Sequence, residues 1–501
     1  MPRNEIRKDH KMKSLKIMAA AALSLLAVEA GARGDSLSYN VELSASASTG
    51  RYAPLWFTAN RYGLSSERPN SGYLRAGVGY KTEFGKGWNV EAGVDLAGTV
   101  DMDAPFVVQQ AYADLSWRVL TLSVGAKERS DSPLDKDFRL SSGAMVEGPN
   151  ARPIPQVRLE VKRYWDVPGT KGWLGVKGHF GYGVMTDSRW RDNFVAAGNT
   201  YTKNIIYHSK SLMFRVGNAE VFPLTMEIGM LEAAQFGGSR WRRGEDGTLE
   251  CVQNLPNGFK DFIDAIVPIQ KSTLENVEGN HVGSWNFALN YEASTWRARL
   301  YYEHFYDDHS QLTWQYGRWK DGHIGVEVTL PRNPFVTKVL WEGLSTTDQT
   351  GPILYDGVGG SFGDLQMSGG DNYYAHTTYP WAHWGQNIGT PFVPGPVYDG
   401  DGNLTFRSNR VKLHYVALSG DPTQELSWRA LLSFARHWGT YKAPLDKIEH
   451  QNCMLFELSY KPKRLGGWKF AAAFGADTGG YNGESYGGML TISKSGILWA
   501  K

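Results

Sequence analysis

Hydrophobic and polar residues alternate along this chain with a period of two. Leu37, Tyr39, Val41, Leu43, Ala45 and Ala47 interleave with Ser38, Asn40, Glu42, Ser44, Ser46 and Ser48. Successive strand residues leave opposite faces of a sheet, so the run predicts a strand with one apolar and one wet face. Leu74, Ala76, Val78 and Tyr80 repeat the pattern against Arg75, Gly77, Gly79 and Lys81. After the turn Gly85-Lys86-Gly87, Trp88, Val90, Ala92, Val94 and Leu96 carry it again. Similar runs lie near 108–127, 156–165, 173–185, 205–217, 223–231 and 281–306. Others follow near 310–343, 406–419, 425–438, 451–461, 467–477 and 485–499. With hairpin arms counted separately, about eighteen strands are predicted.

Many of these strands end in an aromatic residue, among them Trp117, Trp173, Trp296, Tyr302, Trp341, Trp428, Tyr460, Trp468 and Trp499. A soluble sandwich or propeller would turn the polar face to solvent. A membrane barrel would turn it to a wet lumen and give the apolar face to lipid. Strands near ten residues with aromatic ends favour the barrel, and only a closed sheet satisfies every strand N–H and C=O within hydrocarbon. No repeat with a fixed 20–50-residue period supports a propeller. Short turns (85–87, 293–295, 462–466) contrast with long insertions (128–155, 186–204, 232–280, 344–404). In outer-membrane barrels the short turns face the periplasm and the long loops the exterior. The fold expected is therefore all-β, a transmembrane antiparallel β-barrel with long extracellular loops and a lumen-occluding insertion.

Composition changes the picture in three ways. The 501 residues carry 53 Lys+Arg and 51 Asp+Glu, and the first 32 hold six of those bases and three of those acids. The remainder is close to neutral, without the basic excess that drives nucleic-acid affinity. The chain start supplies a basic stretch, Met12-Lys-Ser-Leu-Lys-Ile, an apolar run from Ile17 to Val28, and Ala30-Gly31-Ala32. That order reads as an export signal, residues 1–32, cleaved before a single domain over 33–501. The two cysteines, Cys251 and Cys453, read as unpaired structural thiols rather than a bridge.

Loops carry function in such folds, so their chemistry comes next. The insertion 344–404 holds twelve Gly and five Pro. Its segment 371–387 nevertheless contains five aromatic residues and two His. Trp and Tyr faces pack on the apolar C–H face of a pyranose, while amides and carboxylates bind its hydroxyls. The competing reading is that these rings pack a plug inside the barrel. Within 232–280, Phe259, Phe262, Ile263 and Ile266 share one face of a predicted helix, read as a packing helix that caps the lumen. Arg240, Arg242 and Arg243 around Trp241 read as a solvated loop face. Enzymatic chemistry finds little support. His208-Ser209 and His309-Ser310 are strand neighbours that point to opposite faces. His376 and His383 lack a third metal ligand at convincing spacing, and Asp364 and Asp371 are a glycosidase pair only in the weakest sense.

Several segments then resemble the Wzi-type capsule assembly family. They are Pro54-Leu-Trp-Phe-Thr-Ala-Asn-Arg-Tyr-Gly, Leu140-Ser-Ser-Gly, Asn150-Ala-Arg-Pro-Ile-Pro and Gly279-Asn-His-Val-Gly-Ser. Trp341-Glu-Gly-Leu-Ser-Thr-Thr-Asp-Gln-Thr-Gly-Pro, the 371–392 segment ending Ile388-Gly-Thr-Pro-Phe, and Ser408-Asn-Arg-Val complete the set. The resemblance runs in order from residue 54 to about 411. The final residues Trp499, Ala500 and Lys501 depart from the aromatic terminus usual in outer-membrane barrels. The resemblance implies an eighteen-stranded, self-occluded outer-membrane barrel acting as a lectin for capsular or other surface polysaccharide. Outer-membrane lipids and the capsule export machinery are its further expected partners, and no cofactor, metal or nucleic acid is expected. The site expected is extracellular. Tyr373, Tyr374, Trp381 and Trp384 would stack on sugar rings, and Asp371, Asn372, His376 and Gln386 would bind hydroxyls. Arg139 and Arg152 would pair with carboxylates of an acidic polymer. A passive porin, and a barrel enzyme acting on surface glycan or lipid, are the alternatives. Lumen filling by 232–280 and 344–404 would argue against the porin.

Overall fold

The computed structural model describes residues 34–129, 132–266, 279–307, 320–349 and 372–501. The predicted export signal, Asp364, Asp371 and the His309-Ser310 pair lie outside them. The alternating runs close into one antiparallel sheet of 18 strands. Each strand pairs with its neighbours in sequence, and the ring is sealed between the first strand, Ser36–Ser48, and the last, Ser485–Ala500. Closure leaves no edge, which is what a sheet in lipid requires.

Burial inverts the rule of a soluble protein. In the strand Leu120–Ala126, Leu122 and Val124 face outward at 41% and 46% exposure, while Thr121 and Ser123 point inward at 4% and 0%. In Gln156–Asp166, Val157 and Leu159 are exposed outside, and Arg158 and Glu160 are buried inside. The outer surface is thus an apolar band that only lipid tails satisfy, and the barrel spans a membrane. Rings gather where strands meet the short turns. Phe84 stacks with Trp88 at 6.2 Å, Trp88 leans on Trp117 at 6.2 Å, and Tyr291 meets Trp296 at 5.3 Å. They form one aromatic girdle.

The two ends of the barrel differ. One carries turns such as Trp117 to Leu120 and Glu292 to Arg297, together with both strand termini. The other carries the long segments, described over 49–69, 127–129, 132–155, 185–205, 237–266, 346–349 and 372–410. Three of these long segments fold into the lumen. Residues 50–68 include a short helix, Leu55–Thr58, whose four residues are all buried. Its Leu55 N–H donates to Asp477 Oδ2 on the wall at 2.8 Å. Residues 132–155 and 372–410 complete the plug. The three interlock through Tyr62 N–H to Pro149 O (2.5 Å), Gly148 N–H to Ile388 O (3.0 Å) and Asn150 Nδ2 to Asn387 O (2.8 Å).

The described residues of 232–280, which are 232–266 and 279–280, do not fill the lumen as expected. Residues 232–236 simply extend the wall strand Leu224–Phe236. Ser239–Arg243 pairs with Thr200–Lys203 on one side and Leu249–Asn254 on the other in a three-stranded sheet standing at the loop end, and Leu249–Asn254 is exposed along its length. The helix Phe259–Asp264 does form. Only Phe262 and Ala265 of its neighbourhood pack on Phe236, whereas Phe259 and Ile263 are 84% and 51% exposed. It sits on the rim and does not cap the lumen. The segment 49–69, with no periodic signal and a loop length unremarkable in the sequence, takes a plugging role instead. Cys251 is exposed, Cys453 is buried, and no bridge joins them.

Candidate functional site

Charged residues inside a lumen must be paired or solvated, and the plug supplies the pairs. Lys136 is fully buried, with its ammonium 2.5 Å from Glu303 Oε1, 2.9 Å from Gly143 O and 2.9 Å from His323 Nδ1. Glu342 accepts from Ser141 Oγ (2.8 Å), Ser142 N–H (2.6 Å) and the Tyr301 hydroxyl. Glu147 accepts from Tyr207 OH and Ser209 Oγ, both at 2.7 Å. The cavities beside Glu147 are about 80 and 40 Å³, room for one or two waters each.

This network contains two Ser–His–Glu groupings invisible to sequence spacing. His323 Nε2 lies 3.1 Å from Ser142 Oγ and 3.6 Å from Glu342. The donor-only Lys136 ammonium on Nδ1 makes that nitrogen the acceptor, so the proton sits on Nε2, which donates. His179 Nε2 lies 2.7 Å from Ser209 Oγ, but Ser209 already donates to Glu147. Neither Ser142 nor Ser209 therefore hands its proton to the imidazole beside it, the arrangement a nucleophile needs, while Ser211 Oγ lies 2.8 Å from the other His179 nitrogen, Nδ1. His208, at 0% exposure, bonds Gly181 O and not Ser209.

The aromatic segment divides. Tyr373, Tyr374 and Trp381 are at 0% exposure and hold the plug together. Trp381 Nε1 donates to Val146 O at 2.9 Å, and Tyr374 OH to Met145 O at 2.8 Å. Phe305 of the wall meets the Tyr373 and Tyr374 rings at 4.8 and 4.9 Å. Asn372 is half-buried and accepts from Asn409 Nδ2 at 2.7 Å. His376 accepts the Tyr379 N–H at 3.1 Å, while His383 bonds Arg152 O and Thr186. The two histidines share no ligand arrangement, and no group of potential metal ligands occurs among the described residues.

Trp384 is placed differently. Ala382–His383 and Gln386–Asn387 form a minimal hairpin whose two-residue turn is Trp384-Gly385, with φ of 52° and 73°. Left-handed backbone at both turn positions suits glycine, and a bulky tryptophan there is strained by about 1–3 kcal/mol. Gly385 is obligatory on steric grounds too, since a Cβ would lie 2.2 Å from Val397 Cγ1 and 2.6 Å from Trp190 Cζ2. The Trp384 ring is half-buried at the loop end, with the Arg152 guanidinium 4.2 Å from its centroid. Its N–H groups are held by Thr186 Oγ1 and Asp187 Oδ2, both at 3.2 Å. Beside it Trp190 stacks on Phe194 at 4.5 Å, and Tyr52 meets Tyr398 edge-to-face at 5.3 Å.

Carboxylates border these rings. Burial pushes Glu67 up to about 7, with Asp103 adding repulsion. Burial also raises Asp103, against the Arg152 and Arg68 charges. Burial lowers Arg152 to about 10, against the pull of Asp103 and Asp187. Of the residues singled out from sequence, Trp384, Gln386 and Arg152 come together here. Arg139 does not: it lies toward the short-turn end, 3.0 Å from Asp137, with its carbonyl bonded by Arg429. Trp190, Asp103, Asp187 and Glu67 were not legible, because three separate loops deliver them.

Comparison of the fold returns outer-membrane barrels. Wzi, an outer-membrane protein involved in group 1 capsule assembly in Escherichia coli and a carbohydrate-binding β-barrel, aligns with a TM-score of 0.55 at 12% identity. The alignment covers 90% of this chain and 83% of that one. Pseudomonas aeruginosa OccK3 (OpdO) aligns at 0.49 with 10% identity, covering 93% and 96%. Acinetobacter baumannii OccAB4 aligns at 0.48 with 10% identity, covering 93% and 99%. No protein-family model and no curated protein matches the sequence.

Proposed function

We propose that this protein is an outer-membrane lectin that holds capsular or other surface polysaccharide at the cell exterior. The observation that carries the reading is Trp384, a strained and half-buried ring presented at the loop end over a lumen filled by an interlocked plug. Strain persists where surrounding structure imposes it, and it gathers at binding sites. A ring capped by a guanidinium and bordered by carboxylates offers both halves of a sugar site, an apolar face and polar partners in its plane. The long loops then face the exterior and the short turns the periplasm. Likeness of fold to a carbohydrate-binding barrel is consistent with this reading. Each contact is weak alone, and avidity along a repeating polymer supplies retention.

The test is Trp384→Ala in encapsulated cells, with glycan-array binding by the detergent-purified barrel. Capsule is expected to appear in the medium at unchanged total synthesis, and array binding to fall. Normal retention by the folded variant would refute the site. Shortening of the polymer by purified protein would refute the lectin. A solute channel is the second reading, favoured by two cavities of about 1050 and 690 Å³ at the short-turn end. Large, steady single-channel conductance from the intact protein would establish it over the first.

A further inference from the structure

The plug fills the loop-end part of the lumen and leaves the other part open. A cavity of about 690 Å³ begins at the short turns, among Lys171, Asn218 and Glu292. It adjoins an inner cavity of about 1050 Å³, sharing Asp135, Asp137, Tyr164 and Arg215 with it. The tip of the segment 132–155 hangs between them. The outer cavity is mixed in charge and largely paired, as in Lys338–Glu327 (3.4 Å) and Arg299–Glu227 (3.5 Å). The inner one is lined by nine cationic side chains against four carboxylates, although carboxylates just behind the lining, among them Asp114, Glu303 and Glu457, pair with several of the nine. Low-dielectric walls focus such an excess onto whatever enters.

Arg61 and Arg163 hold no carboxylate within ion-pair distance among the described residues. Arg61, on the plug, reaches only the Trp56 carbonyl at 3.4 Å, and its Nε is buried without a partner. Arg429, another cation, is its neighbour across the cavity. Arg163 owes its direction to a β-bulge. Pairing jumps from Val161↔Gly178 to Trp165↔Val176, and the irregular stretch sends Lys162, Arg163 and Tyr164 all into the cavity. A regular strand would have turned Arg163 to lipid. Phe138 adds an apolar face, half-buried at the plug tip between Asp137 and Arg139. With nine cations and four carboxylates among its lining, the cavity does not suit an acyl chain.

We propose that this periplasm-facing vestibule is a second binding site, for a short carboxylate-bearing oligosaccharide segment. Arg61 and Arg163 grip its carboxylates, and Phe138 lies against a sugar ring. The planar guanidinium fork matches a carboxylate in two-point contact. A stacking face beside two unfilled forks favours an acidic sugar over a bare anion. The proposal rests on the polysaccharide-binding reading for its ligand class, and it deepens that reading by giving the polymer a charge and an inner contact.

The test uses the full-length barrel in detergent, titrated calorimetrically with trigalacturonate, maltotriose and triglutamate. Trigalacturonate is expected to bind, about tenfold more weakly when NaCl rises from about 0.05 to about 0.5 M. Maltotriose should bind at least tenfold less tightly, and so should triglutamate. Arg61→Gln with Arg163→Gln should weaken trigalacturonate about tenfold or more, with heat-modifiable gel migration unchanged. Arg163→Glu alone, a substitution at an exposed position, should weaken it as well. Equal binding of maltotriose overturns the charge argument, and equal binding of triglutamate overturns the sugar. Wild-type affinity in both the double variant and Arg163→Glu overturns the site. Capsule retention in cells plays no part in these titrations, so their failure leaves the outer lectin site standing. Loss of the lectin reading would show instead in the Trp384→Ala cells.

Discussion

Replacing Lys136 by methionine is expected to release the plug while leaving the wall intact. The ammonium has three protons and three acceptors, Glu303, Gly143 O and His323 Nδ1, all within 2.9 Å. The side chain is at 0% exposure and Glu303 at 5%. Methionine keeps most of the stem's volume, so the loss is electrostatic and not a cavity. Glu303 would remain buried with the Met145 N–H, at 2.9 Å, as its partner on the plug. Breaking one side of a buried pair costs roughly 3–5 kcal/mol. That cost falls on the contact between 132–155 and the wall, because the strands Arg297–Asp307 and Gly322–Thr329 keep their ladder. Amide hydrogen exchange across 132–149 measures the local opening directly. Protection there should fall by about two to three orders of magnitude, with wall amides unchanged. Single-channel traces should show intermittent openings absent from the wild type. Adding Glu303→Leu should restore part of the protection, since removing both partners leaves no buried unpaired charge. Unchanged protection in Lys136→Met, or a double variant worse than the single one, would refute the pairing argument.

Two further outcomes follow from the loop-end geometry. Glu67 is raised from 4.5 to about 7, chiefly by burial. A carboxyl raised by folding contributes most below its unfolded value, and that contribution is lost as pH climbs from about 4.5 to about 7, on the order of 3 kcal/mol in total. Exchange protection of 61–68 and 101–105 should therefore drop between pH 5 and 8, and Glu67→Gln should flatten the drop; a pH-independent wild type would contradict it. Gly385→Ala puts a Cβ against Val397 and Trp190 at a left-handed φ, which should destabilise the hairpin by about 1–3 kcal/mol and weaken glycan binding. Wild-type glycan affinity in that variant would show that the hairpin geometry does not matter.

The wall was legible in the sequence, because a period of two is a local property and closure follows from the absence of any tolerable edge in lipid. Leu37 to Ser48 could form nothing but a two-faced strand, and it does. Short turns, the aromatic girdle and the helix at Phe259 were likewise written in neighbouring residues. The occupants of the lumen were not. Tyr373, Tyr374, Trp381 and Trp384 lie within a dozen residues and share the same chemistry, yet three are packed against Met145, Val146 and Phe305 and one faces outward. What separates them is a two-residue turn at Trp384-Gly385 and the loops that press on it, 187–194 and 396–398. Arg139 and Arg152, thirteen positions apart on one insertion, serve opposite ends of the barrel for a similar reason. A segment that threads a lumen has no periodicity of its own, because each residue meets whichever wall strand closure has brought to it. Rings such as Tyr374 and Trp381 acquire their roles from contacts more than two hundred positions away in the chain.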